Sequence, residues 1–254
     1  MADTRLSLTQ EGTTAVITLQ RPEKLNALDA DMVAALERMA QDVDADPTIR
    51  VCIITGAGEK SFCAGGDIEA WSKVSPHEFG MAWVKQGHRA FDALARMRQP
   101  LIAALNGHTL GGGLEVAVCA DFRIAEEHCK FGQPETGIGI IPGWSGTQRA
   151  VRRFGAQLVR RMALAGEVFD APSALSLGLV DQVVPKGQSL AAARELAARI
   201  AARGSFATSA AKLMINAAEN EDREAALEAL AGIAAATHDE LKSKVADFIN
   251  RKKT

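Results

Sequence analysis

The sequence contains no tyrosine, which removes the phenolic hydroxyl from the possible catalytic groups. Cysteine is sparse: the four residues at positions 52, 63, 119 and 129 include no Cys-x-x-Cys pair. Neither a zinc site nor a thioredoxin-like motif is therefore indicated. With no disulfide pattern either, a reducing, cytoplasmic setting is the expectation. No charge-free apolar window of about 18 residues is present, so no membrane span is expected. Met1 to Gln10 carries Asp3 and Arg5 and no apolar core, so no secretory leader is expected. The formal charge of −2 gives no reason to expect nucleic acid or an anionic membrane as partner. P-loop, His-Glu-x-x-His and Gly-x-Ser-x-Gly signatures are all missing. Gly143-Trp144-Ser145-Gly146 places its serine one residue short of a nucleophile elbow.

What is present is ordinary globular material, 254 residues with 47% hydrophobic and 24% charged side chains. That is enough for one large domain, or a domain with a small appendage. Leu6 to Thr9 and Ala15 to Leu19 flank Glu11-Gly12 and read as a hairpin. Asp29 reads as the cap of a helix with apolar residues at 32, 33, 36, 39, 40 and 43. Val51 to Thr55 and Leu101 to Leu105 read as buried strands, 122–125 and 180–184 as further short ones. The stretch 56–67 reads as a loop, as does 131–145, and 76–97 reads as helix. Strands alternating with helices predict a mixed α/β body over residues 1–187. Alanine-rich helices then fill 188–254, the last one opened by a Thr237/Glu240 capping box.

Two stretches stand out chemically. Asn106 to Glu115 follows a buried strand and runs through Gly111-Gly112-Gly113 into an apolar helix. A glycine turn at a helix start leaves backbone N–H groups uncovered, where the helix dipole also favours negative charge. Glu115 is an unexpected carboxylate in that apolar first turn. Gly65-Gly66-Asp67 repeats the arrangement after the strand near residue 50. Two such turns could aim two N–H groups at one carbonyl oxygen, with Glu115 and Glu135 nearby; the plain alternative is two ordinary loops with surface charges. Gly56-Ala57-Gly58 lacks the last glycine and the helix of a dinucleotide fingerprint, and reads as a surface turn. Among the five histidines, 77, 88 and 128 read as surface residues and His108 as structural. Trp83, Phe91 and Met97 read as core, or as a pocket lining if their helix flanks one.

Together these stretches resemble the enoyl-CoA hydratase/isomerase (crotonase) superfamily. The resemblance rests on Arg21-Pro22-Glu23-Lys24-Leu25-Asn26-Ala27-Leu28, Ser61-Phe62-Cys63-Ala64-Gly65-Gly66-Asp67-Ile68, Asn106-Gly107 with Gly111 to Glu115, Phe131 to Glu135, Ile141-Pro142-Gly143 and Gly146-Thr147-Gln148-Arg149, in that order. It implies a spiral of ββα turns with a helical C-terminal trimerisation region, assembled as a trimer or a dimer of trimers. It implies an acyl-CoA thioester as substrate and no cofactor beyond the coenzyme A of that substrate. By position, Gly66 and Gly112 would form an oxyanion hole. Lys24, Leu25, Ala64, Asp67 and Ile68 would contact coenzyme A, and Phe248 and Arg251 would reach the coenzyme A of a neighbouring subunit.

Members that hydrate an enoyl-CoA carry both glutamates, and Glu115 and Glu135 match those positions. The resemblance therefore implies a hydratase of 2-trans-enoyl-CoA, with Glu115 as base on water and Glu135 as proton donor to C2. Trp144 stands where relatives often have a small residue and would reshape the acyl pocket. The competing readings are an enoyl-CoA isomerase or other acyl-CoA lyase, and a non-catalytic acyl-CoA- or RNA-binding relative. A nicotinamide enzyme is the weakest contender. Neither the physiological acyl group nor the pathway is legible.

Overall fold

The computed structural model describes residues 5–223 and 229, and the chain divides into two compact units, 1–209 and 210–254. The expected helices beyond residue 223, the Thr237/Glu240 cap, Phe248 and Arg251 lie outside the described residues.

Within the first unit, the strands β1 (Leu6–Glu11) and β2 (Thr14–Leu19) form the expected hairpin. β3 (Val51–Gly56), β5 (Leu101–Leu105), β7 (Phe122–Glu126) and β10 (Gln182–Val184) join it in a six-stranded sheet, order β1-β2-β3-β5-β7-β10, parallel from β2 onward. A second sheet of four short strands, β4 (Ser61–Cys63), β6 (His108–Leu110), β8 (Lys130–Gly132) and β9 (Phe169–Asp170), lies within stretches that read as loops, turns or helix. Two or three residues are too few to show a period of 2, which is why these strands escape a pattern reading.

The large sheet is covered on both faces, which accounts for its continuous apolar runs. In β3, Cys52 and Ile54 face one core while Val51 and Ile53 face the other. The first core packs α1 (Ala30–Ala45), α4 (Lys85–Arg96) and α5 (Gly112–Cys119). The second packs α9 (Ser189–Ala201), which composition groups with the C-terminal helices, through Ala193 and Ala197. Asp29 caps α1 by accepting the Met32 N–H at 3.0 Å, a contact worth about 1 kcal/mol. The remaining helices are α2 (Ile68–Trp71), α3 (Pro76–Glu78), α6 (Gln148–Phe154), α7 (Ala156–Ala163), α8 (Ala171–Ser176) and α10 (Ser205–Ala218). Between α3 and α4, Phe79–Val84 forms a π-helical turn inside the stretch expected to be plain helix.

The small sheet positions the site. Each long strand β3, β5 and β7 is followed by one short strand, and parallel pairing stacks the short strands side by side. Ser61 pairs with His108, Cys63 with Thr109, and Thr109 in turn with Phe131. The turns leaving these three short strands are therefore brought together: Gly65-Gly66, Gly111-Gly112 and Pro134-Glu135.

Candidate active site

The two glycine turns touch. A Cβ on Gly65, whose φ is +108°, would lie 3.0 Å from the Gly112 nitrogen, so only glycine fits there. The first turn is fixed on both sides of its free amide. The Leu28 N–H donates to the Gly65 carbonyl at 2.8 Å, and the Asp67 N–H donates to the Leu28 carbonyl at 2.7 Å. Between them the Gly66 N–H has no acceptor among the described residues. Leu28 is held by its own segment, in which the fully buried Asn26 accepts the Arg21 N–H and donates to the Ala57 and Ser61 carbonyls, each at 2.9 Å. In the second turn the Gly111 N–H donates to the Gly132 carbonyl at 2.9 Å. Gly112 opens α5, where an N–H has no acceptor within the helix. Gly66 and Gly112 both line one cavity of about 200 Å³.

Glu115 and Glu135 line the same cavity. Glu115 is 3% exposed on the wholly buried α5. Its Oε1 accepts the Trp144 N–H at 2.6 Å and the Gly146 N–H at 2.7 Å. A Cβ at Gly146 would come within 2.6 Å of that same oxygen, so the second donor requires glycine. Glu135 is 8% exposed in a 3-10 turn, Glu135–Ile138, and among the described residues no other residue donates a hydrogen bond to either of its buried carboxyl oxygens. Burial, and after it the charge of Glu135, push the Glu115 carboxyl up to about 8, against the pull of the two amides and Arg149. Burial pushes Glu135 up to about 7. A buried carboxyl with no hydrogen bond is costly unless something bonds to it. A molecule entering the cavity would supply that bond.

The rest of the wall is apolar and aromatic. Trp71, Phe79, Trp83 and Trp144 line it with Ile68, Val84, Ile140 and Ile141. The Trp144 ring lies 4.8 Å from Trp83 and edge-on to Phe91 at 5.2 Å, and its Nε1–H donates to the Trp83 carbonyl at 3.3 Å. It also occupies a notch in α4: a Cβ on Gly87 would fall 2.0 Å from the indole. Trp144 is thus part of the pocket wall, as its size suggests. Trp83 lines the pocket, whereas Phe91 and Met97 are core. Trp71, Phe79 and the isoleucines after Glu135 are lining residues with no local signal that singles them out.

Of the other expected contacts, Ala64 and Ile68 line the cavity. Lys24, Leu25 and Asp67 do not. Lys24 pairs with Glu69 at 2.8 Å in an exposed contact. Leu25, at φ +54°, accepts the Ala64 N–H at 3.0 Å through its carbonyl, so its segment adjoins the cavity rim. Asp67 caps α2 and pairs with Arg21 at 2.8 Å. Burial works against its charge, but Arg21 and the two cap amides prevail and hold the carboxyl below its ordinary range. His88, expected at the surface, is half-buried and bonded to Ser145 at 3.1 Å. His108 and His128 have rings 6.3 Å apart, away from the cavity.

Comparison with known proteins points the same way. The chain is 38% identical to the crotonyl-CoA hydratase of Syntrophomonas wolfei, over 100% of this chain and 98% of that protein. It is 38% identical to the short-chain-enoyl-CoA hydratase of Clostridium acetobutylicum, over 87% of this chain and 84% of that one. The solved enoyl-CoA hydratase of Bacillus anthracis superposes with a TM-score of 0.82 at 31% identity, covering 98% of this chain and 97% of that one. The sequence profile described as Enoyl-CoA hydratase/isomerase matches residues 9–254. With its stacked strand pairs, its two glycine turns and that match, the chain belongs to the enoyl-CoA hydratase/isomerase family.

Proposed function

We propose that this protein is an enoyl-CoA hydratase that adds water across the 2,3 double bond of a 2-trans-enoyl-CoA. The observation that carries the reading is the pair of buried carboxyls in one cavity with two unpaired backbone N–H groups. In this mechanism the thioester carbonyl accepts from Gly66 and Gly112. Those bonds strengthen as the oxygen gains enolate charge, which is stabilisation specific to the transition state. Glu115 takes a proton from water as the water oxygen attacks C3, and Glu135 gives its proton to C2. The reaction leaves Glu115 protonated and Glu135 ionised, and proton exchange between them or with solvent resets the pair.

The division of roles rests on hydrogen bonding. Taken singly, values of about 8 and about 7 would ionise Glu135 before Glu115. Two short amide donors favour the charged form of Glu115, and nothing comparable favours a charged Glu135. When water occupies the space between them, the carboxyl with fixed donors is the one suited to hold charge and act as base.

Ala64, Ile68 and Trp144 are assigned to the walls around the acyl-pantetheine portion, Lys24, Leu25 and Asp67 to the outer rim toward coenzyme A, and Phe248 and Arg251 to a neighbouring subunit. The proposed assembly is a trimer or a dimer of trimers in the cytoplasm. Exposed apolar side chains on the first unit, Leu164 at 75% and Phe206 at 64%, support association. Among the described residues no helix is long and apolar enough to cross a membrane. Incubation with crotonyl-CoA tests the activity: the absorbance of the conjugated thioester falls with the wild type and persists with Glu115→Gln. An isomerase would leave crotonyl-CoA unhydrated and act on the 3-enoyl isomer instead.

A further inference from the structure

The turn that feeds Glu115 has an unusual middle residue. Trp144 and Gly146 both donate to the same Glu115 oxygen, at 2.6 and 2.7 Å, and Ser145 stands between them. Two amides spaced this way converge on one acceptor when the backbone between them turns to the left-handed side, forming an anion-binding concavity. Ser145 has φ +77°, a conformation that side chains disfavour and glycine accepts. A serine here needs support from outside the turn.

That support comes from α4. The Ser145 hydroxyl lies 3.1 Å from His88 Nδ1, and a hydroxyl can donate to or accept from that nitrogen, so the bond survives either tautomer. Gln148 Nε2 is a longer contact to the same hydroxyl, at 3.5 Å. The neighbours of His88 on the helix grip the flanking residues of the turn. Gly87 makes the notch for the Trp144 indole, and Asp92, one helical turn along, accepts from Arg149 Nη2 at 2.6 Å. The Arg149 N–H in turn donates to the Ser145 carbonyl at 3.0 Å. Helix α4 thus holds residues 144–149 at three points, of which the middle one contacts the side chain of the strained residue directly.

We propose that His88 and Ser145 are positioning residues: their hydrogen bond keeps the 144–146 turn in the shape that presents both amides to Glu115. The kinetic part of this proposal rests on the hydratase reading, but the geometric part does not. It also explains why a histidine that the sequence leaves on the surface is half-buried facing a serine beside the site.

The test is a double-mutant cycle read by kinetics and by amide NMR. His88→Phe and Ser145→Ala each lower kcat on crotonyl-CoA about tenfold, with KM within about twofold, because the acceptor for water's proton is misplaced while the binding walls stay. Ser145→Gly recovers most of the loss seen in Ser145→Ala, since glycine takes the positive φ unaided. Adding His88→Phe to Ser145→Gly then costs less than about twofold. Independently of activity, the Trp144 and Gly146 amide protons lie downfield in the wild type, move upfield in His88→Phe and Ser145→Ala, and return in Ser145→Gly. Equal losses from His88→Phe in both backgrounds, or amide signals that stay put in the single variants, would overturn the proposal. If the wild type fails to hydrate crotonyl-CoA, the hydratase reading falls while the amide signals still decide this one. If Ser145→Ala does not fold, the His88→Phe and Ser145→Gly arms carry the decision.

Discussion

Residues 51–71 and 101–119 build the same unit twice: a long buried strand, a short strand in the second sheet, a glycine pair and a helix start. The units diverge after the glycines. The first continues into α2, only four residues long, whose cap Asp67 is spent on its own helix and on Arg21. The second continues into α5, eight residues with every one buried, and one of them is Glu115. Each unit leaves one backbone N–H in the cavity, and only the second adds a carboxyl. A backbone donor needs no particular side chain, so a repeated turn can supply it with unrelated side chains around it. The Glu115 carboxyl takes its donors from elsewhere in the chain, the 144–146 turn, so a repeat of the strand and glycine turn alone does not reproduce it.

The comparison is tested most strongly at the carboxyls. Glu115→Gln keeps the shape and removes the proposed base, and kcat on crotonyl-CoA is expected to fall by about 10³-fold, within the range of lost acid–base catalysis. A steady-state assay checks this, and a loss below about tenfold would place Glu115 with Asp67 as a structural carboxyl. The next effect is steric. A Cβ at Gly113 would sit 2.0 Å from the Cys63 carbonyl oxygen, whereas one at Gly66 would meet only indole edges, the nearest at 3.0 Å. Gly113→Ala is therefore expected to lower unfolding stability by about 3 kcal/mol and Gly66→Ala by about 1 kcal/mol or less. Urea midpoints measure both, and equal losses would show that the two turns are packed alike.

The parts that were legible in the sequence are those with local causes. Asp29 announces a helix start, Val51 to Thr55 and Leu101 to Leu105 announce strands, and the glycine runs announce turns. The whole second sheet was hidden, because β4, β6, β8 and β9 are set by pairing with one another rather than by any pattern of their own. The site followed the same division. Glu115 and the triple glycine stand out by themselves, whereas Glu135 has two open readings, site carboxylate or loop surface charge, until the resemblance to a family favours the first. That Glu115 takes two amides while Glu135 takes none could not be read, because it depends on where residues 143–146 fold back. Trp71, at the end of α2, and Phe79, Trp83 and Val84, in the π-helical turn, join the pocket from two separate segments, and no residue pattern marks such a turn.

A third strand pair, β7 and β8, sharpens the contrast, because it leads to Glu135 with no glycine turn and, among the described residues, no donor from another residue. Its carboxyl, raised to about 7, binds a proton in the folded protein between pH 4.5 and 7 that it releases when unfolded. In that window the folded state holds more protons, so stability falls as pH rises and the loss is complete above the folded value. Glu135→Gln removes this contribution and leaves that of Glu115, whose carboxyl is raised in the same direction. It is expected to be more stable than the wild type by about 2 kcal/mol at pH 8, with little difference at pH 4, while losing activity. Urea unfolding across that range checks it. A variant that is less stable at pH 8 would mean that the carboxylate has a stabilising partner in the folded protein.

A smaller effect than that of Glu135→Gln is expected at the carboxyl of the first unit, and it runs with the opposite sign. Asp67 accepts the Glu69 and Ala70 N–H groups at 3.0 and 3.3 Å and pairs with Arg21, which together outweigh its burial and lower its pKa. A lowered carboxyl contributes stability that is present above the unfolded value of 3.8 and is lost as pH falls through the folded one. Asp67→Asn keeps a capping oxygen and gives up the charge, so the expected loss is about 1 kcal/mol at pH 7 and shrinks toward zero in acid. Unfolding midpoints at pH 7 and pH 3 measure it. Destabilisation by Asp67→Asn at neutral pH alongside stabilisation by Glu135→Gln would establish that two buried carboxyls after equivalent short strands serve opposite ends, one holding the frame and the other held by it at a cost to stability.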